Sequence, residues 1–235
     1  MLSLNKHVLK YWLKRTPFLR FISKFFYFTF IERWRTFPGS KNYWINRYQS
    51  GGTSGSGSYD KFAIFKAEVL NNFVRNNHIE TIIEYGCGDG SQLLYSKYPS
   101  YLGFDISTKA IQKCKNIFSN DYSKTFKLLT NYQYEFAELT LSIDVIYHLI
   151  EYETFLSHMI LLFDSSTRFV IIYSSNTDRQ AILQGNHIRH RDFSKWIKHN
   201  KPEWELIEII PNRYPYTGLD IEGSFASFYI YKKSC

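Results

Sequence analysis

The chain has 235 residues, 44% of them hydrophobic, which is enough for one α/β domain with its own core and an N-terminal extension. Its three cysteines are odd in number and widely spaced, which excludes a disulfide framework or a zinc site and indicates a reducing, cytoplasmic location. The net charge of +8 is concentrated in residues 1–36, which carry eight Lys or Arg and one acid, so the nearly neutral remainder argues against a nucleic-acid partner.

Residues 1–36 predict a basic, aromatic extension of two short helices that are separated near Pro17. In the second helix, aromatic and aliphatic residues recur at three- and four-residue spacing between basic ones. No stretch reaches the ~20 apolar residues that a bilayer-spanning helix needs. Two interpretations are open. The helices pack on the domain or on a second subunit, or they lie on the inner face of the membrane with Lys and Arg on anionic lipid.

Residues 37–60 are predicted as a Gly/Ser-rich loop, because four glycines and four serines fall within residues 50–58. This composition is typical of a flexible linker. It is also typical of a loop whose bare backbone can approach a ligand closely. Trp44, Arg47 and Tyr48 immediately before the run favour the second interpretation, a loop that covers a cofactor with Tyr48 in contact.

From residue 61 to 235, predicted strands and helices alternate. Helices are expected at 61–76, from the glycine turn to Tyr98, at 108–119 and at 152–163; strands are expected at 81–85, 101–104, 126–129, 139–142 and 169–173, with a closing antiparallel pair at 203–210 and 228–231. This alternation predicts a Rossmann-like α/β fold. Its sheet should have seven strands, mainly parallel, with helices on both faces.

A glycine turn follows the first predicted strand, where residues 82–90 are Ile-Ile-Glu-Tyr-Gly-Cys-Gly-Asp-Gly. Glycines at alternate positions let a ligand lie against bare backbone. The spacing differs from the dinucleotide fingerprint Gly-x-Gly-x-x-Gly. Asp105 ends the second predicted strand, where a carboxylate can accept two hydrogen bonds from ribose hydroxyls. Together these features predict a nucleoside-containing ligand at the carboxyl ends of the first two strands.

The glycine turn resembles motif I of class I S-adenosylmethionine-dependent methyltransferases, Glu/Asp-x-Gly-x-Gly-x-Gly. Residues 43–58, 65–70, 141–150, 170–176 and 187–191 extend the similarity to bacterial methyltransferases associated with cell-surface polysaccharide and glycoconjugate biosynthesis, over about residues 40–235. This resemblance implies S-adenosylmethionine as the methyl donor and a small-molecule or glycan-precursor acceptor. The donor-site positions expected are Tyr48, Glu84, Gly86, Cys87, Gly88, Asp105 and Asn131.

Three histidines are candidates for a catalytic base, which a hydroxyl acceptor needs and which histidine provides near neutral pH. His148 follows the fourth predicted strand, at the edge of the sheet where open α/β folds place their chemistry. His187 and His190 follow the fifth strand. Asp144 is a candidate to orient a base, bind the acceptor or hold a metal, although no ligand spacing requires a metal. Each of these residues also has a structural interpretation, as a turn or loop residue.

Arg189 and Arg191 alternate with the loop histidines and are candidates for binding an anionic acceptor. The leading prediction is an O-methyltransferase acting on a sugar or related polar precursor of a cell-surface glycan. The alternatives are methylation of an amino sugar or of a phosphate-type group in the same pathway. A third alternative is a non-catalytic, donor-binding subunit of a glycan-assembly complex.

The charge of residues 1–36 generates a prediction about membranes. We expect the full chain to bind anionic lipid vesicles at low salt, since each basic residue near the surface contributes about 1 kcal/mol. Co-sedimentation with vesicles should show binding that weakens as salt rises and is lost on deletion of 1–36. If the full chain ignores anionic vesicles at low salt, the extension is a packing element instead.

Overall fold

The computed structural model describes residues 36–181, 184–217 and 222–234. Apart from Thr36, the extension predicted over residues 1–36 lies outside these ranges, so its predicted helices stay predictions. Within the described ranges, none of the helices is long and apolar enough to cross a membrane.

Seven strands form one sheet in the order β3-β2-β1-β4-β5-β7-β6. Their bounds are β1 Thr81–Tyr85, β2 Ser100–Asp105, β3 Lys124–Leu128, β4 Ala137–Ile143, β5 Ser166–Ser174, β6 Trp204–Ile210 and β7 Ser227–Lys233. Strands β1 to β5 pair in parallel, whereas β7 is antiparallel to both β5 and β6. The predicted seven-stranded, mainly parallel sheet with a closing antiparallel pair is confirmed.

Five α-helices lie in the described ranges: α1 Ser40–Gln49, α2 Asp60–Asn76, α3 Thr108–Ile117, α4 Tyr152–Asp164 and α5 Phe193–Asn200. Strand side chains alternate between two cores, as the two-residue period of a strand requires. Ile82 joins the core that contains buried residues of α2 and α3, and Ile83 joins the core that contains buried residues of α4 and α5. Helices therefore cover both faces of the sheet, as predicted.

Residues 37–60 are not a loop throughout, which corrects the prediction for this segment. They contain helix α1, which begins after Gly39 and ends at Gln49; Gly39 has a positive φ angle of 89°. No glycine or proline interrupts residues 40–49. The helix is also anchored at its start, because the Ser40 N–H donates to Oε1 of Glu151 and the Ser40 hydroxyl accepts from the Ile150 N–H. Residues 37–39 and most of the Gly/Ser run of residues 50–58 are irregular, with a 3-10 turn at Ser56–Ser58.

The prediction of a helix between the glycine turn and Tyr98 is also wrong. A short 3-10 turn, Ser91–Tyr95, takes its place and leaves Leu93 buried. Pro99 disfavours helical geometry at the residue before it, so a longer helix could not reach Tyr98. The connection from the glycine turn to β2 therefore contains no α-helix.

Candidate functional site

A cavity of about 440 Å³ lies at the carboxyl ends of β1, β2 and β4, under α1 and the loop that follows it. Eight of the residues predicted to act at the site line this cavity: Tyr48, Glu84, Gly86, Cys87, Gly88, Asp105, Asp144 and His148. Three of the four segments that supply these residues lie at the ends of parallel strands, which meet at the same edge of the sheet, and the fourth, with Tyr48, is α1.

The glycine turn leaves no room for side chains at two positions. Gly86 and Gly88 both have positive φ angles, of 87° and 60°. A Cβ atom on Gly86 would lie 2.5 Å from Cγ2 of Val145, and one on Gly88 would lie 2.4 Å from Oγ of Ser54. The turn therefore lies between Val145, after β4, and Ser54 of the covering loop. It presents bare backbone to the cavity.

Asp105 is buried at the end of β2 and binds the glycine turn directly. Its Oδ2 accepts the Gly88 N–H at 3.0 Å, and its Oδ1 accepts the Ser107 N–H at 2.8 Å. Burial raises the pKa of the Asp105 carboxyl to about 6, so the group is ionised at neutral pH. Each carboxylate oxygen can accept a further hydrogen bond, which leaves capacity for ligand hydroxyls.

Glu84 is a second buried carboxyl group in the lining of the cavity. Its Oε2 accepts the Tyr101 hydroxyl at 2.7 Å. Burial raises the pKa of Glu84 to about 7, while the hydrogen bond from Tyr101 and the charge of Lys66 oppose that rise. The charge of this group therefore depends on its surroundings, and a cation bound in the cavity would favour the ionised form.

Asp144 forms an ion pair that the sequence analysis did not anticipate. It follows β4 with a φ angle of 60°, which is unusual for a residue with a side chain. Its Oδ2 lies 2.6 Å from Nζ of Lys66, a side chain that is fully buried, and its Oδ1 accepts the Tyr147 hydroxyl. The ammonium group of Lys66 also lies 5.2 Å from the ring centre of Tyr173. Asp144 is thus held as a fixed carboxylate at the cavity wall.

The Gly/Ser run is held over the glycine turn by Asp89. Its carboxylate accepts hydrogen bonds from the backbone and hydroxyl groups of Ser54 and from the hydroxyl of Tyr59. Burial alone raises the pKa of Asp89, but hydrogen bonds from Ser54 and Ser91 outweigh that effect and lower it below its usual value. The Tyr48 hydroxyl also bonds Oγ of Ser54. The loop therefore covers the turn in a defined position.

His148 is the histidine that the structure places in the cavity wall. Its Nδ1 lies 2.8 Å from the carbonyl oxygen of His187, so Nδ1 carries the hydrogen and Nε2 keeps its lone pair. Burial lowers the pKa of His148 to about 4, which keeps the ring neutral at pH 7. The ring meets Trp44 edge-on at 4.8 Å between centres. Nε2 makes no hydrogen bond with any other described residue, so it is free to accept a proton.

The two loop histidines lie outside the lining of this cavity. His187 supplies the carbonyl oxygen that orients His148, and its ring stacks on Tyr43 at 4.7 Å. His190 is buried, with Nδ1 lying 2.6 Å from Oγ of Ser175. The structure therefore brings His148 to the candidate site and gives the other two histidines contacts in the surrounding wall.

Arg189, Arg191 and Asn131 also lie away from the cavity lining. The two arginines line a separate groove between the start of α4 and α5. There Nη2 of Arg191 donates to the Ile150 carbonyl at 2.7 Å. Asn131 is exposed, and its neighbour Thr130 lines the cavity instead. In the part of the chain that the structure describes, no group of three His, Cys, Asp or Glu side chains could hold a metal ion.

Sequence reasoning missed several residues of the site, and two of them carried a signal. Asp89 lies within the glycine motif, next to Gly88 and Gly90. Lys66 interrupts an otherwise apolar face of α2, where it lies four residues from Phe62 and from Leu70. A lysine at such a position is either exposed or paired, and pairing indicates a buried acid nearby.

No protein-family model matches the sequence, and no curated protein is similar to it. Solved structures are similar in fold. Magnesium protoporphyrin IX methyltransferase from Synechocystis PCC 6803, solved with bound S-adenosylmethionine, aligns over 85% of this chain and 100% of its own, with a TM-score of 0.61 and 14% identity. The N-methyltransferase NodS from Bradyrhizobium japonicum aligns over 75% and 99%, with a TM-score of 0.57 and 11% identity.

A third similar structure is an S-adenosylmethionine-dependent methyltransferase from Clostridium acetobutylicum. It aligns over 72% of this chain and 91% of its own, with a TM-score of 0.52 and 10% identity. These likenesses, together with the strand order, show that the chain has the Rossmann-like fold of class I methyltransferases.

The Lys66–Asp144 pair generates a prediction about stability. Lys66→Met should lower the free energy of unfolding by about 3 kcal/mol, because it leaves the Asp144 carboxylate without its counter-charge. Urea denaturation of the variant and the native chain measures this difference. The double variant Lys66→Met/Asp144→Asn should recover part of the loss. A single variant as stable as the native chain would show that the ion pair contributes nothing to stability.

Proposed function

We propose that the protein is an S-adenosylmethionine-dependent O-methyltransferase that acts on a sugar or related polar precursor of a cell-surface glycan. The observation that carries the proposal is the cavity itself. Its lining combines the bare backbone of the glycine turn with three carboxyl groups. One is Asp105, at the position expected to bind ribose hydroxyls, and the others are Glu84 and Asp144. One buried ammonium group, Lys66, offsets them only in part.

The residues of this cavity suit the methyl donor in charge and size. The donor carries positive charge on its sulfonium and ammonium groups and supplies the methyl group as an electrophile when bound. A wall with more carboxyl than ammonium groups favours such a cation. A cavity of about 440 Å³ is also in the range of small-molecule sites. The likeness of the fold to methyltransferases, one of them solved with S-adenosylmethionine, is consistent with this fit.

His148 is the residue we assign to proton transfer. An acceptor hydroxyl must lose its proton as its oxygen forms the new bond to the methyl carbon, while the bond from that carbon to sulfur breaks. Nε2 of His148 is unprotonated and free of other bonds in the described chain, so it can take this proton. The low pKa of the ring means that it releases the proton to water afterwards. His187 acts through its carbonyl oxygen as a positioning residue.

The polar acceptor is supported by the open side of the cavity and by the resemblance of the sequence. Lys41, Thr154 and Ser157 are exposed and also line the cavity, so they lie where it opens to solvent. Trp44 also lines the cavity and offers an aromatic surface of the kind on which sugar rings pack. A cytoplasmic location is supported by Cys87 and Cys114, which are free thiols.

Donor binding should depend on pH through Asp105. Ribose hydroxyls bind the ionised carboxylate best, and the pKa of about 6 means that it is ionised above that pH and protonated below it. Affinity for S-adenosylhomocysteine should therefore fall by up to about tenfold between pH 7 and pH 5, as titration calorimetry can measure.

The control for this experiment is Asp105→Asn, which cannot ionise. We expect it to bind S-adenosylhomocysteine more weakly by about 2 kcal/mol at pH 7, because it loses charge-assisted hydrogen bonds. It should also lose the pH dependence that Asp105 causes, although Glu84 titrates in a neighbouring range. Native affinity in the variant at pH 7 would remove Asp105 from the donor site.

Turnover should depend on His148 far more than on the other two histidines. His148→Ala should lower kcat about 10²–10⁴-fold with donor binding preserved, since it removes the general base. The measurement is methyl transfer from labelled donor to a panel of sugar and nucleotide-sugar acceptors. His187→Ala and His190→Ala are matched controls from the neighbouring loop. Collapse of kcat in either control with near-normal kcat in His148→Ala would reverse the assignment.

A further inference from the structure

One part of the cavity wall is apolar. Phe104 of β2, Leu129 after β3 and Leu161 of α4 line the cavity and pack in the same hydrophobic cluster. Thr130, which follows Leu129, and His158, which lies on α4 with Leu161, also line the cavity. An apolar wall with a few polar groups beside it suits an aromatic heterocycle.

His158 has a fixed ring with one nitrogen left open. Its Nε2 lies 2.8 Å from Oγ of Ser142, and the ring meets Tyr85 edge-on at 6.4 Å between centres. Nδ1 makes no hydrogen bond with any residue in the described ranges, although the ring is part of the cavity wall. Burial lowers the pKa of His158 to about 4, so the ring is neutral at pH 7. A neutral imidazole offers either a donor or an acceptor at Nδ1.

The partner hydroxyl decides which form Nδ1 takes. Oγ of Ser142 makes no other hydrogen bond with a described residue, so its hydrogen is satisfied when it donates to Nε2 of His158. Nδ1 then carries the hydrogen and is a donor. His158 therefore complements an acceptor at the edge of a heterocycle, such as N1 of adenine, but not the N1–H that stands there in hypoxanthine.

Asn131, one of the donor-site positions expected from the resemblance, does not lie at this part of the wall. It is exposed and absent from the cavity lining. Leu129 and Leu161 line the same cavity as Asp105, so a base attached to a ribose at Asp105 would find apolar packing there. The polar edge of such a base would meet Thr130, which follows Leu129, or His158, which lies on α4 with Leu161.

We propose that His158 is a specificity-determining residue that hydrogen-bonds the amino-substituted edge of the donor's adenine. The inference rests on the proposed function, because it requires that S-adenosylmethionine bind in this cavity. Ser142 is then a positioning residue for the His158 ring, and Thr130 borders the same base.

The test compares the binding of two ligands to the full chain by titration calorimetry. One is S-adenosylhomocysteine, and the other is S-inosylhomocysteine, in which an oxygen replaces the amino group and N1 carries a hydrogen. The native chain should bind the adenine form about tenfold more tightly or better, because the other base has a donor where adenine has an acceptor and so loses the hydrogen bond. His158→Ala should weaken adenine-form binding about tenfold and reduce the preference to near unity.

Two variants separate recognition from general damage to the cavity. Glu153→Ala changes an exposed residue of α4 that does not line the cavity, and should keep the native preference. His158→Asn retains a polar group and should keep part of the preference if the variant folds, as thermal unfolding can verify. If the native chain binds neither ligand, the proposed function fails together with this inference. If it binds the adenine form and His158→Ala keeps the native preference, only the inference fails.

Discussion

The hydrogen bond from the Gly88 N–H to Asp105 connects the two strands on which the rest of the cavity depends. It joins the end of β2 to the glycine turn after β1, and both partners are buried. A buried carboxylate that lost this donor would carry an unsatisfied charge, so the turn is held in place. Because the turn is fixed, Gly86 can lie against Val145, at the end of β4, with no space for a side chain. The Asp105 carboxylate thus helps to fix the ends of β1, β2 and β4 relative to one another.

The electrostatics of the cavity follow from how its carboxyl groups are compensated. Asp105 is compensated by backbone N–H groups, Glu84 by a tyrosine hydroxyl and Asp144 by a buried lysine. Lys66 does not line the cavity, so it stabilises Asp144 without blocking ligand access. Burying the two charges costs several kcal/mol unless their geometry is good, which limits what such a pair adds to stability alone. Its clearest effect is to hold the Asp144 side chain in a fixed position at the cavity wall.

The covering segment shows how a sequence typical of a linker becomes an ordered wall. Helix α1 contributes Trp44 and Tyr48, and the Gly/Ser run contributes Ser54, to the lining of the cavity. The run has few side chains to bury, so hydrogen bonds to Asp89 hold it rather than apolar packing. Its attachment therefore depends on an ionised carboxylate and on the donor groups of Ser54. The glycines let the backbone of the run lie close to the glycine turn, and the hydrogen bonds to Asp89 fix where it lies.

The sequence by itself determined the mainly parallel seven-stranded sheet, the glycine turn and the acids at the strand ends, because each depends on short, local patterns. Parallel strands end at one edge, so Glu84, Asp105 and His148 could be placed together without coordinates. Only the tertiary structure decided which side chains meet across long separations, as Lys66 and Asp144 do over 78 residues. It also placed His158, rather than Asn131, in the cavity wall. Such contacts depend on the packing of whole helices against the sheet, so the sequence can indicate that Lys66 needs an acid but not which acid it meets.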